Sequence, residues 1–420
     1  MHNTYFFVLG KNPALSTAEI LNILKRENID YQLVSVSSQI LLISTPQEFE
    51  SIFIRTLGGT VKFGMIISSS NLSESEDKFF DIFSFPNLSR KFFPHVNKKI
   101  HFGLSIYSLN SVNDLKNPLK LLMQIGKLIK ENLRQNGKSS GFVRIQERSL
   151  SSVSVAKNNL LNDGAEIILI SDNEKIYVGK TLAVQEFEEY SSRDYGRPQR
   201  DLKRGLLPPK VAKMMLNLTL QKKDSIILDP FCGSGTIIQE AILLGFRHLI
   251  GADIEKEAIN QTRKNIDWLT QNQNISKENF TLKLYTQDVK YIDRVIDGNS
   301  IDAVVTEPYL GPLFHRPAQK HEVINIIHQL SALYIDAFKS FAEILKKEKE
   351  IVIIFPVFST TDDMMNINIL SEIENLGFIL ISLLPPEFEG KFKEYTKRHS
   401  IIYGTPEHFV KREILKFKKI

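Results

Sequence analysis

Along the first 95 residues, short apolar runs alternate with stretches whose apolar positions recur every three or four residues. Residues 5–9 read as a strand. Ser16 then starts a helix to Arg26, with Glu19 at capping-box spacing. Strands are expected over 31–36 and 39–43, a helix over 47–57, and, after Gly58-Gly59, a strand over 61–67. This β-α-β-β-α-β order predicts a ferredoxin-like unit over residues 1–95, with 68–77 a polar loop. A second small α+β unit is expected over 96–185: strand 100–107, helix 115–133 with an apolar stripe of Leu119, Leu122, Met123, Ile125 and Ile129, strand 142–145, and strands 166–170 and 175–181.

From residue 209 the rhythm becomes a regular strand-helix alternation. Pro209 opens a helix over 210–220, and the apolar run 226–229 leads through a glycine turn into helix 237–244. Strands 249–253, 281–285, 301–306, 351–355 and 378–384 follow, with helices 255–269, 322–345 and 367–376 between them. Segments 400–403 and 414–417 close the pattern as an antiparallel pair. Such alternation predicts an α/β domain over 209–420, with a mostly parallel sheet of seven strands and Rossmann-like winding.

Composition adds boundaries. Hydrophobic residues make up 42% and charged residues 24%, values of an ordinary globular protein. The N-terminus lacks the basic flank and long apolar core of a secretion signal, and no apolar run is long enough to span a bilayer. The single cysteine, Cys232, permits no internal disulfide, so a cytoplasmic location is expected. A net charge of +5 allows a nucleic-acid partner without requiring one. The histidines show no ligand spacing, so no metal is expected, nor any membrane association; a monomer is expected.

The chemistry concentrates at the ends of the predicted strands of the α/β domain. Asp229 ends the first, and Pro230-Phe231-Cys232-Gly233-Ser234-Gly235-Thr236 turns into the helix. Glycines there let a ligand approach the backbone closely. The turn is neither G-x-G-x-x-G nor a phosphate loop, because it lacks the Gly-Lys-Ser/Thr ending. An acid-led turn without Lys suits a nucleoside ligand that has no pyrophosphate, and S-adenosylmethionine fits. Asp253, ending the next strand, is placed to take both ribose hydroxyls, or to cap the following helix. Asp288, just past the third, could accept from an adenine amino group. The fourth strand runs into Glu307-Pro308-Tyr309-Leu310. Before the domain, a basic connector over 186–208 carries Arg193, Arg197, Arg200, Lys203 and Arg204, with Lys210 and Lys213 beyond it, against Asp194 and Asp201. It is a solvated hinge, a cover over the cofactor or a grip on a phosphate backbone.

Together these residues resemble the THUMP-domain RNA methyltransferases, specifically the tRNA (guanine-N2) methyltransferases, over most of the chain. Residues 150–158, including Lys157, followed by Gly164-Ala165-Glu166-Ile167 are similar to the THUMP signature. Gly179 to Gln185 and Arg193-Asp194-Tyr195-Gly196-Arg197-Pro198 are similar to the family's linker, and Asp229 to Thr236 to its cofactor loop. The resemblance implies a class I methyltransferase domain at 209–420, a THUMP RNA-binding domain at 96–185, and S-adenosylmethionine held by residues 229 and 231–236 together with Asp253, Ile254 and Asp288. It implies methyl transfer to the exocyclic N2 of a tRNA guanosine, with position 10 the family candidate. RNA contacts would come from Lys157 and the connector arginines and lysine. The family motif is usually Asp-Pro-Pro-Tyr, with Asn in relatives. Here Glu307-Pro308-Tyr309-Leu310 has a carboxylate one methylene longer, lacks the second proline and brings the aromatic forward. Glu307, Pro308 and Tyr309 are the expected catalytic residues, the acid and the Pro308 carbonyl accepting amine protons and Tyr309 stacking on the extruded base. A ribosomal RNA guanine, an adenine N6, or a catalytically silent RNA-binding role are the alternatives.

Overall fold

The computed structural model describes residues 2–71, 73–94, 99–110, 117–144, 147–200, 206–314, 316–361 and 363–420. The chain divides into two compact units, Met1–Ser16 with Asn28–Phe187, and Thr17–Glu27 with Glu188–Ile420.

In the first unit, eight strands form a single sheet: β1 (Asn3–Leu9), β2 (Gln32–Val36), β3 (Ile40–Thr45), β4 (Thr60–Asn71), β5 (Ile100–Ser108), β6 (Ser140–Phe142), β7 (Gly164–Ser171) and β8 (Lys175–Val184). Their order is β2-β3-β1-β4-β8-β7-β5-β6. Strands from the stretches 1–95 and 96–185 therefore share one sheet, joined where β4 pairs antiparallel with β8, Met65 opposite Lys180. Gly64 and Gly179 make that junction possible: a Cβ on Gly64 would lie 2.2 Å from the Lys180 carbonyl oxygen, and one on Gly179 would lie 2.8 Å from that of Met65.

Helix Pro118–Gln135 starts at Asn117, whose side chain accepts from the Lys120 amide. It buries Leu122, Ile125, Ile129 and Leu133 against Phe102 and Leu104 of β5. Leu119 and Met123, expected in the buried stripe, are exposed instead, because the stripe in contact with the sheet is narrower than the apolar pattern suggests. The helix expected over 47–57 is a short 3₁₀ turn, Ser51–Thr56. Residues 68–71 of the polar loop expected over 68–77 are instead the end of β4.

The second unit is built on β9 (Ile226–Asp229), β10 (His248–Asp253), β11 (Thr281–Thr286), β12 (Ile301–Thr306), β13 (Leu345–Ser359), β14 (Met364–Asn366), β15 (Phe378–Ile381), β16 (Ile401–Tyr403) and β17 (Val410–Lys419). Seven of these run in the order β11-β10-β9-β12-β13-β17-β15, with β14 attached to β13 and β16 to β17. Strands β11, β10, β9, β12 and β13 are mutually parallel, and β17 is antiparallel to both neighbours. This is the doubly wound α/β arrangement expected from the sequence.

The expected antiparallel pair is present as β16 with β17, and β17 also lies between β13 and β15, pairing with β13 from Glu350 opposite Lys418 to Phe358 opposite Val410. That long pairing extends β13 well beyond the expected 351–355. Helix Lys320–Ile344 closes one face through Leu330, Tyr334, Phe338 and Phe341. No helix among the described residues is long and apolar enough to cross a membrane.

Candidate active site

In a parallel sheet every strand delivers its last residue to the same rim, and here that rim is lined with acids. A cavity of about 440 Å³ opens there, and Asp229, Asp253, Asp288 and Glu307 all line it. Phe231, Cys232, Gly233, Ser234, Thr236, Ile254, Pro308 and Tyr309 line it too. Of the residues singled out around the turn, only Gly235 lies behind the wall. Its φ of +84° starts helix Thr236–Leu243, and a Cβ there would meet Thr262 at 2.9 Å. Gly233 has φ +51° and nothing within 4 Å of where a Cβ would stand, so open space meets bare backbone at that point.

Hydrogen bonds fix the acids. One oxygen of Asp229 accepts from Thr306 Oγ1 at 2.7 Å and from the Phe231 amide at 3.2 Å. Burial nevertheless pushes its pKa up to about 7, helped by the nearby Asp253 and Glu307 charges. Asp253 accepts from the Gly233 amide through Oδ2 and from the Glu255 amide through Oδ1, each at 3.0 Å. It thus ties the glycine turn to the next loop while facing the cavity. Glu255, not Asp253, is the N-cap of helix Lys256–Asn272. Asp288 caps the short helix Val289–Arg294, accepting from the Lys290 amide at 3.0 Å. Cys232 is buried filler: its amide donates to the Ala252 carbonyl and its Sγ sits 3.7 Å from Thr262 Oγ1. Burial holds its thiol pKa well above the usual value.

Glu307 follows β12 directly and is clasped by Arg412 of β17, Nε to Oε1 at 2.5 Å and Nη2 to Oε2 at 3.5 Å. The Arg412 Nη2 also donates to the Leu206 carbonyl at 3.3 Å, and Leu206 is itself part of the cavity wall. Beyond Glu307, Tyr309 is 53% exposed, and its carbonyl accepts from Tyr334 Oη at 3.3 Å. Thr306, Leu206 and Arg412 were not singled out in the sequence. Thr306 could have been, as the residue next to Glu307 at a strand end. Arg412 stands 105 residues away and gave no signal.

The basic connector reads differently in three dimensions. Arg193 is 3% exposed; its Nε donates to Glu240 Oε1 at 2.6 Å and its guanidinium stacks 4.5 Å from the Tyr190 ring centroid. Arg197 is also 3% exposed and its Nη1 donates to Thr236 Oγ1 at 2.6 Å. An RNA phosphate cannot reach side chains enclosed in this way, so the expected RNA contacts by Arg193 and Arg197 are corrected: both anchor the connector to the helix behind the glycine turn. Arg200 is half-buried, 5.2 Å from the Tyr195 ring centroid. Lys157 ends a short helix in the first unit and is exposed. Lys203 and Arg204 lie outside the described residues.

These residues fit S-adenosylmethionine. Gly233 leaves backbone open to a ligand, the acids that line the cavity offer acceptors of the kind hydroxyl and amino groups need, and a buried acid with a raised pKa faces the same space.

Comparison with known proteins agrees with this geometry. Residues 73–264 match a family model described as DNA methylase, and residues 197–375 match one described as RMKL-like, methyltransferase domain. The chain is 26% identical over 209 residues to the tRNA (guanine(10)-N2)-dimethyltransferase of Methanocaldococcus jannaschii, covering 49% of this chain and 54% of that protein. It is 26% identical over 314 residues to the protein of the same name from Methanothermobacter thermautotrophicus, covering 74% and 79%. The crystal structure of TrmN from Thermus thermophilus shares the fold across 99% of this chain and 100% of its own, with a TM-score of 0.54 at 13% identity. Family models, relatives and fold together support a methyltransferase.

Proposed function

We propose that the chain is an S-adenosylmethionine-dependent RNA methyltransferase that methylates the exocyclic N2 of a tRNA guanosine, with position 10 the candidate named by its relatives. The observation that carries this reading is the meeting of three strand-end aspartates with Glu307-Pro308-Tyr309 around one cavity. Asp253 takes the ribose hydroxyls, Asp288 the adenine amino group, and Asp229 the cationic end of the ligand. When bound, S-adenosylmethionine supplies a methyl carbon made electrophilic by its sulfonium.

The amine lone pair of guanine is delocalised into the ring, so the protein's task is positioning. Near-attack placement contributes about 7–11 kcal/mol in the best cases. Glu307 and the Pro308 carbonyl accept the two amine protons and so turn the lone pair toward the methyl. With S-adenosylmethionine bound, methylation of the amine would release one N–H proton, which Glu307 or water would take. Tyr309 offers its exposed ring to the extruded base. Extrusion costs a few kcal/mol, and stacking returns roughly 1–3.

The first unit, which precedes the methyltransferase region, is assigned the role of a ferredoxin-like and THUMP tRNA-binding region, with Lys157 on its exposed surface. The test is transfer of labelled methyl to unmodified tRNA, followed by nucleoside mass spectrometry. N2-methylguanosine is the expected product. Label in N6-methyladenosine, the reading favoured by the DNA methylase match, or no label at all, overturns the proposal.

A further inference from the structure

We propose that Arg412 is the positioning residue for the catalytic acid: its guanidinium sets the plane and reach of the Glu307 carboxylate and couples it to the connector segment that walls the cavity. The inference rests on the assignment of Glu307 as proton acceptor. It deepens that assignment by explaining how a glutamate serves where an aspartate is usual.

Three observations carry it. First, Arg412 engages both carboxylate oxygens, Nε to Oε1 and Nη2 to Oε2. A two-point clasp fixes carboxylate orientation, which a point charge cannot do. Second, Arg412 reaches Glu307 from two strands away, since β13 lies between β12 and β17 and pairs its Pro356 with Arg412. The acid is thereby drawn along the sheet rim, which takes up the extra methylene. Third, the same Nη2 holds the Leu206 carbonyl, so the acid and a residue of the cavity wall share one anchor. The side chains of Glu307 and Arg412 are each 15% exposed, so solvent screens the pair only partly. Burial opposes the charge on Arg412, yet Glu307, with Tyr403 adding to it, holds its pKa above the ordinary arginine value. Arg412 is thus a cation at every working pH.

Among the described residues, the titratable groups in electrostatic contact with this pair are Asp229 from β9, Tyr334 from helix Lys320–Ile344 and Tyr403 from β16.

The experiment compares Arg412→Gln, Arg412→Lys and Glu307→Gln in the full chain, with calorimetric donor binding and steady-state methyl transfer to tRNA. Arg412→Gln is expected to bind donor like the native chain and keep KM for tRNA. Its kcat should fall about 100-fold, the cost of an ångström-scale misplacement. Arg412→Lys, which restores charge without the fork, should give an intermediate kcat. Native kcat in Arg412→Gln overturns the proposal. Should that variant fail to fold, Arg412→Lys decides, and native kcat there overturns it. Glu307→Gln separates the two ideas. If it is fully active, the proton-acceptor assignment itself falls. If it is inactive while the Arg412 variants are native-like, only the positioning role falls.

Discussion

Each unit buries a carboxylate in its sheet, and the two could hardly be served more differently. Glu166, on β7 of the first unit, is fully buried and forms an ion pair with Lys62 of β4. Ser105 donates to its Oε1 at 2.6 Å and Thr181 to its Oε2 at 2.7 Å. Both oxygens are taken, within the strand. Asp229, on β9 of the second unit, is nearly as buried, but it ends its strand and both of its hydrogen bonds fall on one oxygen. A cavity opens beside it. Burial alone therefore does not mark a site. A strand-end position, spare acceptor capacity and adjoining space do, and only the second unit's acid has all three.

The largest expected effect comes from breaking the saturated acid. Glu166→Ala leaves Lys62 buried and uncompensated, at a cost of about 3–5 kcal/mol. Chemical denaturation should show it, and a loss under 1 kcal/mol would mean that the pair is not structural.

The contrast sharpens with pH. The pKa of Asp229 is raised in the folded chain from 3.8 to about 7. The stability contributed by its bound proton is fully present below 3.8 and is lost as pH rises through about 7. Asp229→Asn cannot ionise, so its melting temperature relative to the native chain should climb between pH 5 and pH 8. A flat difference across that window would show that Asp229 is already ionised at pH 5.

A smaller effect is expected at the cavity mouth. Tyr309→Ala should weaken productive tRNA binding by roughly 1–3 kcal/mol while leaving donor affinity unchanged. Unaltered kinetics would deny the ring a stacking role.

Much of this contrast was legible in the sequence. Asp229, Asp253 and Glu307 each stand at the end of an expected strand and Asp288 just past one, and parallel strands must bring their ends together, so the cavity could be anticipated from periodicity. What periodicity omits is the identity of lateral neighbours. Arg412 is one of several basic residues in the C-terminal stretch, and nothing in the local pattern tells that β17 enters the sheet beside β13. The connector's charges could be counted but not aimed: Arg193 and Arg197 turn inward to Glu240 and Thr236. Likewise Glu166 gives no sign in sequence of its partner Lys62, 104 residues earlier.

The most direct measurement is a calorimetric titration of the native chain and Asp253→Ala with S-adenosylmethionine. The native chain should bind. The variant should lose about 1.5–3 kcal/mol, the worth of hydrogen bonds to a charged acceptor, or roughly 10- to 150-fold in Kd. Equal affinity in the two proteins, or no binding by the native chain, would contradict a donor pocket at this rim.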